Sequence, residues 1–297
     1  MATETAVADR AEPRARTKVR KPRKEGATPW WMWVAVAVIV VFCLFPFYWL
    51  VNTSLKTGAQ LSSASLFPKH PSLDNFSSIF KNGDFTNGLK NSAIVAFSVT
   101  ILALAFGSFA AYALARLKLR GKFVILGIVL SVTTFPQIAI AAPLFKLWTD
   151  IGLYNTRIGL IIPYLTFALP LAIYILTSFF KEIPKDLEEA ALVDGATHFQ
   201  AFRKVVVPLA APGLATAGIL TFIAAWNEFL LATTLTSSQS ARTVPAAIAF
   251  FTGSTQFELP LGTMSAASVV ISVPLIIMVL LFQKRIVAGL TAGAVKG

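Results

Sequence analysis

Charged residues are scarce in this sequence. Asp, Glu, Lys and Arg make up only 13% of its 297 residues, whereas soluble domains carry about 25%. Hydrophobic residues account for 56%, and the mean hydropathy is +0.69. No polar block is long enough to form a second, soluble domain. We therefore predict one membrane domain over residues 29–297, preceded by a disordered basic tail over residues 1–28.

Cysteine and the common catalytic motifs are also lacking. The single cysteine, Cys43, allows no disulfide within the chain. The sequence contains no GxxxxGK(S/T), HExxH, CxxC or GxSxG motif. The two histidines, His70 and His198, have no acidic or cysteine cluster around them. We expect no catalytic residue and no metal site, and we predict that the chain by itself is not an enzyme.

Apolar runs are what the sequence has in abundance. A transmembrane helix needs about 20 mostly apolar residues, and we assign such spans to residues 30–51, 92–114, 123–145, 158–179, 209–231 and 264–283. No small-residue cleavage pattern follows the first run, so it is predicted to stay as a transmembrane helix. The predicted fold class is an all-α polytopic membrane protein with six transmembrane helices.

Basic residues indicate the orientation of these spans. The net charge is +12, and the positive residues concentrate in the tail and in short loops at 116–122, 181–204 and 284–285. This is the positive-inside pattern, which places both termini in the cytoplasm and the tail near anionic lipid. Lysines in the first outer segment weaken the contrast, but long loops count less in this rule. The distribution does not indicate a nucleic-acid interface.

Two long connections are predicted on the outer side, over residues 52–90 and 236–262. The first contains a short amphipathic helix between Ser72 and Phe80 that we expect on the membrane surface. The second is a polar loop in which Phe250 and Phe251 are expected to form a buried aromatic patch.

Proline and small residues recur inside the spans. Prolines kink helices and leave room for a cavity, and six of them fall within or beside the predicted spans: Pro46, Pro136, Pro143, Pro163, Pro170 and Pro274. Small residues at four-residue spacing let helices approach closely. We interpret two such pairs as packing seams: Gly107 with Ala111, and Gly213 with Ala217.

The most polar stretch between spans is the loop over residues 181–208. It predicts two short helices: Asp186 with Glu189, and Thr197 with Gln200, each resemble a capping box. Gly195 lies where the first of these helices should end. A compact pair of helices with small side chains at its tip suits docking to another protein better than it suits chemistry.

Glu228 is the exception to the apolar character of the spans. A carboxylate at the bilayer centre costs about 2.5–3.5 kcal/mol on insertion scales, so an acid within a span is a candidate for function. Its neighbours Asn227 and Trp226 offer a hydrogen-bonding amide and a stacking face, which suit a polyhydroxylated ligand. Because these residues lie near the outer end of the span, an interfacial belt of aromatic and polar residues is the competing interpretation.

The EAALVDGA segment resembles the EAA signature of membrane-spanning permease subunits of bacterial ABC importers. The residues on motif positions, which the resemblance implies couple to the ATPase, are Glu189, Ala190, Ala191, Asp194, Gly195, Ala196 and Pro208. In the family this loop seats in a groove of the ATP-hydrolysing subunit, and Glu189 would pair with a basic group there. Valines stand before Pro208 where isoleucine and leucine are common.

Further segments are similar to carbohydrate permeases of the maltose-type branch, and the sequence looks closest to actinobacterial trehalose-type permeases. These segments are FPFYWLVNTSLK, NSAIVAF, AAYALARLKLRGK, IIPYLTFALPLAIYIL, AAWNEFLLA and QKRIVAGLTAGAVKG. The second adds Asn91 to the substrate-path candidates Trp226, Asn227 and Glu228. The resemblance also directs the 236–262 loop toward a binding protein, with Phe251, Thr252, Gly253 and Gln256 as contact candidates.

The resemblance implies a type I ABC importer permease in a bacterial cell membrane. Its partners would be a second, different permease subunit, two ATP-binding subunits, an extracytoplasmic sugar-binding protein and membrane lipid. No cofactor is expected on this chain, because ATP and magnesium would bind the partner ATPases. The cargo would be a disaccharide such as trehalose or maltose.

Three alternatives differ in architecture or cargo. The same architecture could carry a polyol or glycerol phosphate. An ion-coupled secondary transporter would need charged relay residues in the spans and an inverted repeat, and the sequence shows neither. A membrane-embedded enzyme would need clustered catalytic groups at bilayer depth, which are also missing.

Overall fold

The computed structural model describes residues 29–251 and 260–291, with side chains in the last helix as far as Gln283. The predicted basic tail lies outside the described residues. Most of the described chain is helical, and the helices are α1 (Trp30–Ser54), α2 (Asp74–Lys81), α3 (Gly83–Arg116), α4 (Lys122–Ser131), α5 (Gln137–Asp150), α6 (Arg157–Glu182), α7 (Lys185–Val193), α8 (His198–Ala201), α9 (Val207–Leu209), α10 (Ala211–Trp226), α11 (Leu230–Leu235), α12 (Val244–Ala249) and α13 (Leu261–Thr291).

The chain divides at Pro46 into two compact units. In the first unit, the described residues 29–45 form the first part of α1, an almost wholly apolar helical segment. The second unit begins at Pro46 and contains the end of α1 and all the other helices. All contacts discussed below lie within this second unit.

The centre of the second unit is a bundle of α3, α6 and α10. Small residues line its seams, as the sequence predicts. A methyl group on Gly107 would lie 3.2 Å from the Ala172 Cβ, and one on Gly213 would lie 2.4 Å from the Phe179 Cγ. Ala111 and Ala217 are completely buried. In lipid, helices associate chiefly through this kind of close van der Waals packing, since burying apolar groups gains little there.

In the part of the chain that the structure describes, four helices are long and apolar enough to cross a membrane: α1, α3, α6 and the Leu261–Gln283 part of α13. They correspond to the first, second, fourth and sixth predicted spans. The second predicted span is shorter than helix α3, which begins at Gly83 rather than near Ser92. The first outer connection therefore ends at Asn82, whose side chain caps α3 by accepting a 2.8 Å hydrogen bond from the Asp84 amide.

One sharp bend lies within the third predicted span, and another lies at the start of the fifth, where it follows the 181–208 loop. The segments Lys122–Thr134 and Gln137–Asp150 meet at 84°, and His198–Leu209 and Ala211–Trp226 meet at 76°. Pro136 lies at the first break, and Pro208 and Pro212 flank the second. Proline lacks the backbone donor that would continue the helix and clashes with the preceding turn. The described residues thus give six spans when each bent pair counts as one.

The outer connection between α1 and α2 is organised by a buried lysine. The Lys56 ammonium donates to the Ser65 and Ser63 carbonyl oxygens at 2.7 and 3.3 Å and lies 5.2 Å from the centre of the Trp49 ring. The amphipathic helix predicted between Ser72 and Phe80 is α2, and its Ile79 is completely buried against the outer end of the bundle.

Candidate functional site

The first helix of the 181–208 loop, α7, ends at a glycine with a left-handed conformation. Gly195 has φ +87°, a region that residues with a Cβ rarely adopt. The Asp194 amide donates to the Ala190 carbonyl oxygen at 3.0 Å, and the Ala196 amide donates to the Ala191 carbonyl oxygen at 2.9 Å. These bonds satisfy the last carbonyls of α7 and confirm that Gly195 terminates the helix.

The two predicted capping boxes have different outcomes. The second is confirmed: the Thr197 hydroxyl accepts from the Gln200 amide at 3.2 Å, and the Gln200 side chain accepts from the Thr197 amide at 2.9 Å. The first is wrong, because α7 begins at Lys185 directly after Pro184, which provides no side-chain cap. Asp186 therefore lies inside the first turn, where its charge is favourable at the positive helix end.

Most of the motif residues form the exposed tip of the loop. Glu189, Ala190, Asp194, Gly195 and Pro208 are exposed, and Ala191 and Ala196 are half-buried. Apolar side chains lie beside them in solvent: Val193 is 87% exposed, Phe199 59% and Leu187 46%. An exposed surface of this composition, rimmed by acids, is typical of a protein-docking site.

The second half of the loop returns to the bundle through a π turn. Residues Phe202–Val206 form this turn after α8, and short α9 follows. Phe202 and Val206 are buried, and the Phe202 ring packs 4.9 Å from the Tyr112 ring and 5.3 Å from the Phe109 ring, centre to centre. The loop is therefore anchored in the core at this turn and free at its tip.

Sequence reasoning missed Glu188, the residue beside the motif glutamate. Its carboxylate is buried and forms an ion pair with Arg116, at 3.1 Å between Arg116 Nε and Glu188 Oε2. Tyr112 donates a hydrogen bond to the other carboxylate oxygen. A sequence signal existed: Glu188 shares a helical face with Ala191 and Leu192, both half-buried, and this face turns away from the tip.

Asn91, a predicted path candidate, is enclosed by protein in this conformation. It is 1% exposed, and its side-chain nitrogen donates to the carbonyl oxygens of Gln239 and Arg242, both at 2.9 Å. Its side-chain oxygen accepts from Arg157 Nε at 2.8 Å. With its donors and its acceptor already used, Asn91 ties α3 and α6 to the outer loop.

The other three path candidates lie at the end of α10 but face different surroundings. Trp226 is 5% exposed; its ring stacks on Phe222, and its Nε1 donates to the Ile271 carbonyl oxygen at 3.3 Å. This placement does not provide the stacking face predicted for it. Asn227 is exposed. Glu228 is half-buried, and its two carboxylate oxygens accept from the Leu231 and Ala232 amides at 2.7 and 3.0 Å, capping α11.

Glu228 also lines a cavity of about 70 Å³. Tyr164 of α6 and Gln137, the first residue of α5, line the same cavity. The break between α4 and α5 and the end of α10 therefore bring polar groups to one place inside an apolar bundle. The cavity is large enough to hold several water molecules.

The outer loop after α11 is only partly described. Phe251 is half-buried and packs edge-to-face on Phe85 at 6.3 Å. Phe250 is 51% exposed, with the Arg242 guanidinium 4.2 Å above its ring, so the predicted buried pair is wrong for this residue. The contact candidates Thr252, Gly253 and Gln256 lie outside the described residues.

Comparison with known proteins identifies the family. Residues 89–291 match the family described as binding-protein-dependent transport system inner membrane component. The chain belongs to this family. It is thus a multi-pass membrane protein and a transport permease, and not itself an enzyme. Within the described residues, no group of three or more His, Cys, Asp or Glu side chains could hold a metal ion.

Three curated relatives match nearly their whole length. The trehalose transport system permease protein SugB of Mycobacterium tuberculosis is 52% identical over 89% of this chain and 97% of its own. The sulfoquinovosyl glycerol transport system permease protein SmoH of Agrobacterium fabrum is 44% identical over 89% and 93%. The trehalose/maltose transport system permease protein MalG of Thermococcus litoralis is 41% identical over 89% and 95%.

Solved structures confirm the fold. A chain of a bacterial ABC transporter involved in the import of the acidic polysaccharide alginate matches 89% of this chain and 99% of its own, with a TM-score of 0.72 and 24% identity. A chain of the MetNI methionine ABC transporter matches 73% and 99%, with a TM-score of 0.55 and 19% identity. The predicted all-α ABC importer permease fold is therefore confirmed.

Proposed function

We propose that this chain is the permease subunit of an ABC importer that takes up a disaccharide such as trehalose or maltose. The observation that carries the proposal is the 52% identity to a trehalose permease over 97% of that protein. A trehalose/maltose permease at 41% identity supports the same cargo. Both relatives also align over 89% of this chain, so the likeness includes the bundle and the 181–208 loop.

The importer would contain three kinds of partner subunit around this chain's membrane domain. A second, different permease subunit would complete the path, two ATP-binding subunits would supply energy, and an extracytoplasmic binding protein would deliver the sugar. A solved structure of an alginate transporter in complex with its periplasmic protein supports this kind of assembly. ATP and magnesium would bind to the ATPase subunits.

The tip of the 181–208 loop would dock on the ATPase. Glu189, Ala190, Asp194 and Gly195 are exposed there, so a partner groove can approach the backbone closely. The capped ends of α7 and α8 make the tip a rigid element, and rigidity is what a part that transmits force requires. In this role Glu189 pairs with a basic group of the ATPase.

Glu228 would act at the sugar path. Its carboxylate lies in the cavity with Tyr164 and Gln137, and these groups together can accept and donate hydrogen bonds to sugar hydroxyls once the cavity widens. Asn227 is exposed one residue earlier. Pockets that recognise polar ligands place a few hydrogen-bonding groups in mostly apolar walls, and this cavity has that composition.

Uptake of labelled sugar tests the proposal. The chain is reconstituted in proteoliposomes with its partner permease, its ATPases and its binding protein, and ATP-dependent entry of trehalose and maltose is measured. We expect one of the two sugars to enter with ATP inside and none to enter without it. Entry of neither sugar, with an assembled and ATP-hydrolysing complex, would contradict the proposed cargo.

Variants in the same system test the residue assignments. Glu189→Gln should abolish uptake and the ATPase activity that the binding protein stimulates, because the docking charge is lost. Asn227→Ala and Glu228→Gln should lower uptake while the complex still assembles. Asp150→Asn, a matched change at an exposed position of α5, is the control. Wild-type uptake by the Glu228 and Asn227 variants would contradict their role in the sugar path and favour their interpretation as part of an interfacial belt.

A glycerol glycoside is the second candidate cargo. A sulfoquinovosyl glycerol permease is 44% identical to this chain, an identity between those of the two trehalose-related permeases. Its named cargo also joins a sugar to a small polyol. Competition of unlabelled glycosyl glycerol against labelled trehalose for the binding protein would separate the two cargoes.

A further inference from the structure

Helix α7 is joined to the end of α3 by a buried polar cluster. Arg116, the last residue of α3, lies 3.1 Å from the Glu188 carboxylate, and their side chains are only 5% and 10% exposed. Tyr112, one turn earlier on α3, donates a hydrogen bond to the same carboxylate. We name these three residues, Arg116, Glu188 and Tyr112, the clasp.

The clasp also holds the chain that enters α7. Arg116 Nη2 donates to the Ile183 carbonyl oxygen at 2.9 Å, and Ile183 is the first residue after α6. One guanidinium therefore binds the loop at two points, before and within α7. Because a guanidinium is planar and rigid, the ion pair with Glu188 and the hydrogen bond to Ile183 together fix the direction of the helix as well as its position.

The returning half of the loop contacts the same end of α3. The Phe202 ring lies 4.9 Å from the Tyr112 ring, and the Phe180 ring of α6 lies 6.3 Å from Phe202. Both halves of the 181–208 loop thus meet α3 at Tyr112 and Arg116, while the tip with Glu189 extends away from the bundle.

Stability alone does not account for this arrangement. Removing two charges from water costs about as much as their attraction returns, so a buried ion pair adds little net stability. Apolar side chains of the same volume would hold the loop to α3 equally well. What the ion pair adds, together with the hydrogen bonds from Tyr112 to Glu188 and from Arg116 to Ile183, is a fixed geometry between the two helices, which matters when one helix must move the other.

We propose that the clasp is the connection through which displacement of the 181–208 loop moves α3. Its residues are positioning residues: they touch neither sugar nor ATP, and they keep the docking tip and the path-lining bundle moving together. The inference rests on the proposed function, since it concerns the coupling of sugar import to ATP hydrolysis. Without the clasp, the ATPases would still hydrolyse ATP, but displacement of the loop would move the bundle less.

The test measures sugar imported per ATP hydrolysed in the reconstituted complex. Four proteins are compared: wild type, Arg116→Met, Glu188→Gln, and the double variant. Arg116→Met leaves the buried Glu188 carboxylate without its cation, and Glu188→Gln leaves the buried Arg116 guanidinium without its anion. We therefore expect both single variants to assemble poorly. The double variant removes both charges at nearly constant volume, so assembly with the ATPases should return to the wild-type level.

The double variant distinguishes coupling from stability. If the clasp only stabilises the loop, the restored assembly brings back the wild-type ratio of sugar to ATP, and the proposal is overturned. If the clasp transmits displacement, ATP hydrolysis continues but the ratio falls by roughly fivefold or more, the usual lower range of coupling between sites.

A milder variant tests the proposal if the double variant does not assemble. Tyr112→Phe removes one hydroxyl and keeps the ring against Phe202, and it should lower the ratio by roughly twofold, the effect of losing one hydrogen bond of modest net strength. Tyr174→Phe at an exposed position of α6 is the matched control. A wild-type ratio in Tyr112→Phe would also overturn the proposal.

Failure of the proposed function looks different. In that case the wild-type complex imports neither sugar, and no ratio of sugar to ATP can be formed for any variant.

The control for loss of positive charge at this surface is Arg120→Met. Arg120 is exposed and lies four residues beyond the clasp.

Discussion

At the scale of residues, Gly159 shows how little space the bundle leaves at the start of α6. A methyl group there would lie 2.2 Å from the Leu153 carbonyl oxygen and 3.1 Å from a ring carbon of Trp148. The Leu153 oxygen accepts from the Thr156 hydroxyl at 2.7 Å, and the Gly159 oxygen accepts from Trp148 Nε1 at 2.6 Å. We predict that Gly159→Ala destabilises the protein by about 1–3 kcal/mol, the usual cost of overpacking.

Thermal unfolding in detergent, followed by tryptophan fluorescence, measures this effect. The matched control is Gly127→Ala in α4, where an added methyl group meets open space. Alanine favours a helix over glycine by about 1 kcal/mol, so the control should unfold at the wild-type temperature or above it. Equal destabilisation by both changes would contradict the steric explanation.

Single residues differ in how well the sequence predicts them. Gly195 was predictable because a glycine after an amphipathic turn is a local signal for helix termination. The packing of Asn91 was not predictable because its partners, Gln239 and Arg242, are about 150 residues away along the chain. Glu188 was missed because two adjacent glutamates look alike in a sequence, while the fold buries one and exposes the other.

At the scale of elements, the capping box of α8 should hold the docking tip together. Thr197→Val removes the hydroxyl that accepts from the Gln200 amide, at a cost of about 1 kcal/mol. We predict faster amide hydrogen exchange in residues 197–201 and weaker binding of the ATPase subunits. Thr166→Val on α6 is the control, since its hydroxyl bonds only to the Ile162 carbonyl oxygen within the same helix. Unchanged exchange in the Thr197 variant would contradict this role.

Hydropathy predicted the helices correctly where they are straight, and it did not predict where they break. The long apolar helices α1, α3, α6 and α13 could be found from composition alone. The break near Pro136 was expected only as a kink, and the one after Pro208 was not expected, because a proline indicates that a helix is disturbed but not by how much. The size of the bend is set by packing against neighbouring helices, and a single sequence does not indicate this packing.

At the scale of the whole molecule, α3 connects the clasp to the outer loop. It has 34 residues, which corresponds to about 50 Å and exceeds the thickness of a bilayer with its headgroups, about 40–45 Å. Asn91 binds the loop near one end and Arg116 binds α7 at the other. We predict that Asn91→Leu speeds amide exchange in residues 236–243, because it removes the hydrogen bonds to the Gln239 and Arg242 carbonyl oxygens, each worth about 0.5–1.5 kcal/mol.

Exchange in residues 185–209 should stay at the wild-type rate in that variant, because the clasp is intact. Asn87→Leu is the control one turn earlier on α3, where the side chain bonds only to the exposed Gln239 side chain at 3.3 Å. Wild-type exchange in 236–243 after the Asn91 change would show that the outer loop is held by other contacts.

The broken spans have a consequence for biosynthesis. Helices α4 and α5 have 10 and 14 residues, or about 15 and 21 Å, and neither crosses a hydrocarbon core of about 30 Å alone. The insertion machinery must therefore hold α4 until α5 has been translated. A nascent chain arrested between them should remain exposed to the translocation channel, which would make this interval a point of vulnerability for quality-control proteases during synthesis.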